Sequence, residues 1–198
     1  MFRNDERSNR LRPAILTDVV GQYMNDQERA VLYGLSDTVR MRERAKIISP
    51  ELAKIGECVY IGENVLLDAS GGLEIGEHTS LSGNVQVLTH TSWLNNMTLN
   101  NRTGSDLIER KPVKIGKGCF IAGGVFIMPG VTVGDFVTVQ PNSVITKDMP
   151  DYSLVAGNPA RVFLTYTEEH FQKEAERVRA DNARRRAEAE NAGPENAG

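Results

Sequence analysis

Six aliphatic residues stand six apart without a slip: Ile115, Ile121, Ile127, Val133, Val139 and Ile145. A period of six fits neither the 3.6-residue helix nor the alternation of one long strand. It requires a chain that turns a corner every six residues and sends one aliphatic side chain inward per flat. This is the hexapeptide pattern of a parallel β-helix, whose stacked coils bury a core that no single repeat could bury alone. The residue four after each of the first five aliphatics is small or β-branched (Cys119, Val125, Val131, Val137, Ser143). A hydrophobic fraction of 40% with only 6% aromatics suits such a narrow core better than a bulky globular interior.

The same register returns upstream at Ile55, Ile61 and Leu67, and again at Ile75, Leu81 and Val87. Two extra residues separate the triplets within Asp68-Ala69-Ser70-Gly71-Gly72, a bulge on one corner. Three hexapeptides make one triangular coil, so the pattern predicts two coils upstream and two downstream. Between them, from about His90 to Pro112, the repeat stops and a polar segment intervenes. A loop this long inside a compact repeat is functional or disordered; a tolerated insertion is the plainer alternative. The expected organisation is a helical cap over 1–50, a β-helix over 51–163 carrying loop 91–111, and a C-terminal helix with a disordered tail over 164–198.

A net charge of −3 gives no nucleic-acid signal. Cys58 and Cys119 lack metal-type spacing, and Cys119 falls on a buried corner, so a packed thiol is expected there. The N-terminus is charged and lacks the apolar run of a secretory signal. No apolar stretch approaches the ~18 residues of a membrane span, and a cytoplasmic protein is expected. Residues 11–47 read as helical, with Ile15, Leu16, Val19, Val20, Tyr23 and Met24 at helical spacing and Pro13 in the first turn. Asn25 and Glu28 form a capping-box pair, and a third short helix is expected through Thr38–Ile47. Thr167-Glu168-Glu169 reads as the start of a last helix that runs to Arg184-Arg185-Arg186, a solvated face or a site for an anionic partner.

Of three histidines, His78 lies on a coil and His170 in the last helix, so a three-histidine zinc site is unsupported and no metal is expected. His90 stands where the repeat breaks, in Val87-Leu88-Thr89-His90-Thr91. A rim histidine is often a plain surface residue; the adjoining loop points to function instead. A neutral imidazole there can take the proton of an alcohol or amine nucleophile. No serine or cysteine occupies a nucleophile-elbow motif, so direct transfer in a ternary complex is expected rather than a covalent enzyme intermediate.

Lys111-Pro112-Val113-Lys114-Ile115-Gly116 through Pro129-Gly130-Val131-Thr132-Val133-Gly134-Asp135 resembles the left-handed β-helix acyltransferases. So do Ser143-Val144-Ile145-Thr146-Lys147-Asp148-Met149-Pro150 and Ala156-Gly157-Asn158-Pro159-Ala160-Arg161-Val162. The branch in question holds the maltose, galactoside and nodulation-factor acetyltransferases and polysaccharide O-acetyltransferases, and the resemblance covers about 55–163. It alone implies the left hand, because the general crossover rule favours the right. It also implies an obligate homotrimer with active sites in grooves between prisms, and acetyl-CoA as donor. His90 matches the family's catalytic histidine, the general base on the acceptor hydroxyl. Gly123 matches the position whose backbone N–H stabilises the oxyanion; two glycines easing a coil corner is the rival reading. Thr146 and Lys147 match positions along coenzyme A, and Arg161 matches a cation that meets phosphate.

The chain departs from that pattern in places. Pro141-Asn142 replaces the usual Ala-Gly; Pro141 has no N–H to donate, so its contact with the cofactor is expected to be van der Waals or through its carbonyl. Phe120 replaces a tryptophan and Ala122 a glycine. Ser70 aligns with a substrate-binding carboxylate of the galactoside enzymes and should lie beneath His90, with Asp68 on the bulge. Asp68 either bonds a sugar hydroxyl, orients His90 or caps its own turn. Trp93 either stacks on a sugar face or anchors the loop. The expected activity is acetyl-CoA-dependent O-acetylation of a sugar or polysaccharide hydroxyl. N-acetylation of an amino sugar, antibiotic acetylation and a non-catalytic scaffold remain the alternatives.

Overall fold

The computed structural model describes residues 19–100 and 106–191. They fall in two units, one ending at Leu164 and the other beginning at Thr165. In the first unit, strands of two to six residues stack in three flats. Flat A contains, in order, Arg40–Met41, Tyr60–Ile61, Ser80–Leu81, Phe120–Ile121, Thr138–Val139, Ser153–Gly157 and Ala160–Thr165. Flat B contains Lys46–Ile48, Leu66–Asp68, Gln86–Val87, Phe126–Ile127 and Val144–Ile145. Flat C contains Ala53–Ile55, Leu73–Ile75, Val113–Ile115 and Thr132–Val133. The result is the left-handed parallel β-helix.

Strands this short cannot stand alone; the fold exists because each rung of the aliphatic ladder faces its counterpart one coil away. Ile115 lies opposite Val133, Ile121 opposite Val139 and Ile127 opposite Ile145. All six are at most 2% exposed. The small corner residues Cys119, Val125, Val131, Val137 and Ser143 are buried with them. Burial pushes the Cys119 thiol up to about 11, which keeps it protonated and inert.

Upstream the step between rungs is longer: Ile55 lies opposite Ile75 and Leu67 opposite Val87. The extra residues always fall on the corner between flats B and C. They form a single turn of 3₁₀ helix at Pro50–Leu52, then the Ala69–Gly72 bulge, then the long loop between Val87 and Val113. The interruption is thus an enlargement of a corner that is already irregular two coils below.

Thr38–Ile47, expected as a helix of a cap reaching residue 50, is instead the first coil. Arg40–Met41 pairs with Tyr60–Ile61, and Lys46–Ile48 pairs with Leu66–Asp68. Met41 and Ile47 are two further rungs six residues apart. The charges around them (Arg40, Arg42, Glu43, Arg44, Lys46) point outward and disguise the period. Helix remains over residues 19–21 and in α1, Asp26–Leu32; Pro13, Ile15 and Leu16 lie outside the described residues. The capping box is present: Asn25 Oδ1 accepts the Gln27 and Glu28 N–H groups at 3.1 and 2.9 Å, and Glu28 accepts the Asn25 N–H at 2.9 Å. Arg29 is buried and donates to the carbonyls of Gly21, Met24 and Met41, which ties α1 to the first coil.

The first position of the corner between flats C and A, held by Gly56, Gly76, Gly116 and Gly134, leaves no room for a side chain. A Cβ on Gly76 would lie 2.5 Å from the Lys117 nitrogen, and one on Gly116 would lie 2.5 Å from the Gly134 oxygen. Backbone cannot yield there as a flexible side chain would, so Gly76→Ala is expected to cost about 2–4 kcal/mol. Denaturant unfolding checks this; an unchanged midpoint would show that the coils can spread.

In the second unit, Thr167 accepts the His170 N–H and opens α2, Glu168–Asn191. This helix is polar on nearly all sides and is supported by pairs such as Lys173–Glu169 and Arg177–Glu174. Arg184 and Arg185 both fold back on Asp181, the arrangement of a solvated face.

Candidate active site

Two irregular corners stacked on each other create the site. The Ala69–Gly72 bulge ends the Leu66–Asp68 strand with Asp68 turned inward, 1% exposed. One coil above, the chain leaves the repeat at Thr89 and opens a hairpin in which His90–Thr91 pairs antiparallel with Glu109–Arg110. Gly71 lets these corners close: its N–H donates to Thr89 Oγ1 at 2.8 Å, and a Cβ there would lie 2.3 Å from the Thr89 oxygen.

Asp68 meets His90 directly, with Oδ2 2.6 Å from Nδ1. The same oxygen accepts the Thr89 N–H and hydroxyl, each at 3.0 Å, and Oδ1 accepts the Ser70 N–H at 3.0 Å. Burial alone would raise the Asp68 pKa, but these bonds outweigh it and lower it to about 2. A carboxylate only accepts, so His90 Nδ1 carries the proton, and Ser70 Oγ at 3.2 Å shares it. Nε2 is left with its lone pair, on a side chain 40% exposed. Such an arrangement can hold a histidine in one tautomer from behind and leave Nε2 as the accepting nitrogen.

Asp68, for which a bond to a sugar hydroxyl is one of the expected roles, stands behind His90, while Ser70 is half-buried with its hydroxyl 3.2 Å from His90 Nδ1. Asp68 is buried and its oxygens are occupied, which leaves it no face for a sugar. It both orients His90 and caps its own turn, two readings that looked like rivals in the sequence. Trp93 starts a short helix, Trp93–Met97, and is 55% exposed; with Met97 and Leu99 also exposed, it does not anchor the loop on its own prism.

Thr146 and Lys147 are exposed on the same B–C corner as His90, at a higher level, and Arg161 is exposed on the last strand of flat A. Gly123 and Pro141 lie on the other end of flat B, at the A–B corner. Among the described residues the Gly123 N–H has no hydrogen-bond partner, while its neighbour Gly124 donates to the Gly83 oxygen. Pro141 occupies the equivalent place one coil on, so the missing N–H costs the coil nothing. At about 3.3 Å per residue, a six-residue flat separates the two corners by up to about 20 Å.

Two participants are not visible in the sequence reading. Thr89 bridges Asp68 and Gly71, and only its position next to His90 hints at this. Arg110 is set directly across the hairpin from His90 by a pairing that no local pattern encodes. A groove of about 820 Å³ runs along flat C and the following glycine corner. Its lining includes none of Asp68, Ser70, Thr89 and His90, so chemistry rather than size singles out the candidate site. Among the described residues no His, Cys, Asp and Glu side chains converge in a metal-binding group, and no helix is long and apolar enough to cross a membrane.

Residues 112–147 match the bacterial transferase hexapeptide family (six repeats). The chain is 30% identical over 128 residues to an Escherichia coli (strain K12) protein designated a colanic acid biosynthesis acetyltransferase, covering 65% of this chain and 66% of that one. A hexapeptide-repeat acetyltransferase of Vibrio cholerae O1 biovar eltor, complexed with acetyl coenzyme A, superposes with a TM-score of 0.70 at 26% identity, covering 85% of this chain and 94% of the other. A maltose O-acetyltransferase of Clostridium difficile 630 superposes with a TM-score of 0.67 at 25% identity, covering 83% and 91%. Serine acetyltransferases of Arabidopsis thaliana also match, over about a third or less of their own length.

Proposed function

Because the chain belongs to the hexapeptide-repeat acetyltransferases, we propose that it moves an acetyl group from acetyl-CoA to a sugar or polysaccharide hydroxyl. His90 is the general base in a ternary complex. The observation that carries this reading is the buried Asp68 carboxylate 2.6 Å from His90 Nδ1, which leaves Nε2 free to accept a proton at an exposed edge.

The exposed residues fit a phosphate-bearing thioester. Gly123 is half-buried, and a Cβ there would press on the Gly83 backbone oxygen at 3.2 Å, which favours glycine at this corner. Lys147 and Arg161 present cations for phosphate, with Thr146 and Pro141 beside the chain of the donor. When bound, acetyl-CoA supplies an activated acetyl carbon. His90 Nε2 takes the proton of the acceptor hydroxyl while its oxygen forms the new bond, and Asp68 stabilises the resulting imidazolium. The Gly123 N–H is aimed at developing oxyanion charge. His90 then returns the proton to the departing thiolate sulfur.

His90 and Gly123 sit at different corners, far beyond the ~3 Å reach of proton transfer, so the site is completed by a second copy in a homotrimer. Surface chemistry supports the same arrangement. Flat C carries a ladder of Lys54, Glu74 and Lys114 with both ion pairs at 3.3 Å. Flats A and B each carry an outward phenylalanine in the middle of the stack, Phe120 50% and Phe126 36% exposed. A trimer burying A against B removes these from water.

The test is acetyl-CoA turnover, read as thiol release, against neutral and acidic sugars, polysaccharides, amino sugars, serine and hydroxylated antibiotics. Release with hydroxyl acceptors of the sugar class is expected. A response confined to amines would move the reading to N-acetylation, and absence of coenzyme A binding in calorimetry would leave a scaffold.

A further inference from the structure

The hairpin that delivers His90 also delivers a cation. Arg110 is the direct cross-strand partner of His90, so the two side chains leave the same face of the ladder with Cβ atoms about 5 Å apart. Arg110 is exposed. Glu109 leaves the opposite face and is engaged by Lys111 at 2.8 Å. Asp68, on the same corner, is buried with its oxygens given to Ser70, Thr89 and His90. Among the described residues no ion pair engages Arg110 and no carboxylate faces it as a partner.

A cation in this place works against the reaction as written. Proton transfer turns His90 into an imidazolium, and the like charge of a guanidinium carried by the facing strand position opposes it. The cost disappears if the acceptor itself brings an anion to the guanidinium. The acceptor hydroxyl has to approach His90 Nε2 to about 3 Å, and whatever carries that hydroxyl then lies within reach of the long Arg110 side chain. The planar fork of arginine takes a carboxylate or phosphate by two parallel hydrogen bonds. Building on the proposed sugar O-acetylation, we infer that the natural acceptor is anionic, with a carboxylate or phosphate near the acetylated hydroxyl, and that Arg110 is its specificity-determining residue.

Matched acceptor pairs test this: a glucuronate-terminated against a glucose-terminated oligosaccharide for carboxylate, and glucose 1-phosphate against methyl glucoside for phosphate. For wild type, kcat/KM is expected to favour the anionic member of at least one pair, and which pair responds identifies the anion. In Arg110→Gln that preference should fall at least tenfold, because anionic acceptors are lost while neutral ones speed up as the repulsion on His90 is removed. Arg110→Lys should restore part of the preference. Equal turnover of charged and neutral acceptors by wild type overturns the inference, as does a fall of less than tenfold in the variant. A loss common to all acceptors and located in the KM for acetyl-CoA would reassign Arg110 to the donor and also overturn it. If no sugar of either charge is acetylated although acetyl-CoA binds, the sugar-hydroxyl reading fails and this inference falls with it.

Discussion

His90→Ala is expected to lower kcat for acetyl transfer about a thousandfold while the KM for acetyl-CoA stays within a few-fold. General-base assistance contributes about 10²–10⁴ in rate, and the fixed tautomer places this histidine in the middle of that range. The side chain is 40% exposed, so its removal leaves little cavity. Asp68 keeps its bonds from Ser70 and Thr89, and the fold should be retained. The effect therefore belongs in the chemical step, since an interaction made in the transition state lowers kcat and kcat/KM together. Steady-state kinetics with the acceptor found by thiol release provides the measurement. Activity within a few-fold of wild type would remove His90 from the role of base.

The repeat was legible in the sequence because its cause is local and periodic. Each flat buries one aliphatic and each corner one small residue, so Ile115 to Ile145 declare the prism without tertiary information. The ladder is masked where outward charges dominate: Met41 and Ile47 continue it, but five charged neighbours make the segment resemble a polar helix face. The site was legible in part. His90 could be found because it marks the end of the period, and Ser70 could be placed beneath it by counting coils. The role of Asp68 could not be decided, since a two-residue bulge permits either an outward or an inward carboxylate. Packing of Thr89 over Gly71 makes that decision, across about 20 residues of sequence. Arg110 was invisible for a related reason: its partner lies on the far side of the long loop, and hairpin register there is set by chain closure rather than by pattern.

Asp68→Asn is expected to lower kcat by about 10²–10³ with the protein still folded, because it reverses the hydrogen-bond sense at His90. The amide has one accepting oxygen and one donating NH2. Thr89 presents two donors to the position now held by Oδ2, so keeping those bonds turns the NH2 toward Ser70, which is also a donor there. The opposite rotamer sets the NH2 against His90 Nδ1 and drives the imidazole proton to Nε2, where the lone pair is needed. Either way the base is lost or loosely held. Acid stability gives a readout independent of turnover. The carboxyl titrates at about 2 in the native state, against about 3.9 in an unfolded chain. A depressed native pKa means that the unfolded state binds the proton first as pH falls, so the contribution of about 2 kcal/mol is fully present above pH 4 and disappears as pH falls through 2. Wild type should accordingly exceed Asp68→Asn in stability by about that amount at pH 5 to 7, and the two should converge near pH 2. A variant with kcat within fivefold of wild type would show that Asp68 merely fills the corner. A stability gap that persists undiminished at pH 2 would show that packing, not the ionised carboxylate, holds His90 in place.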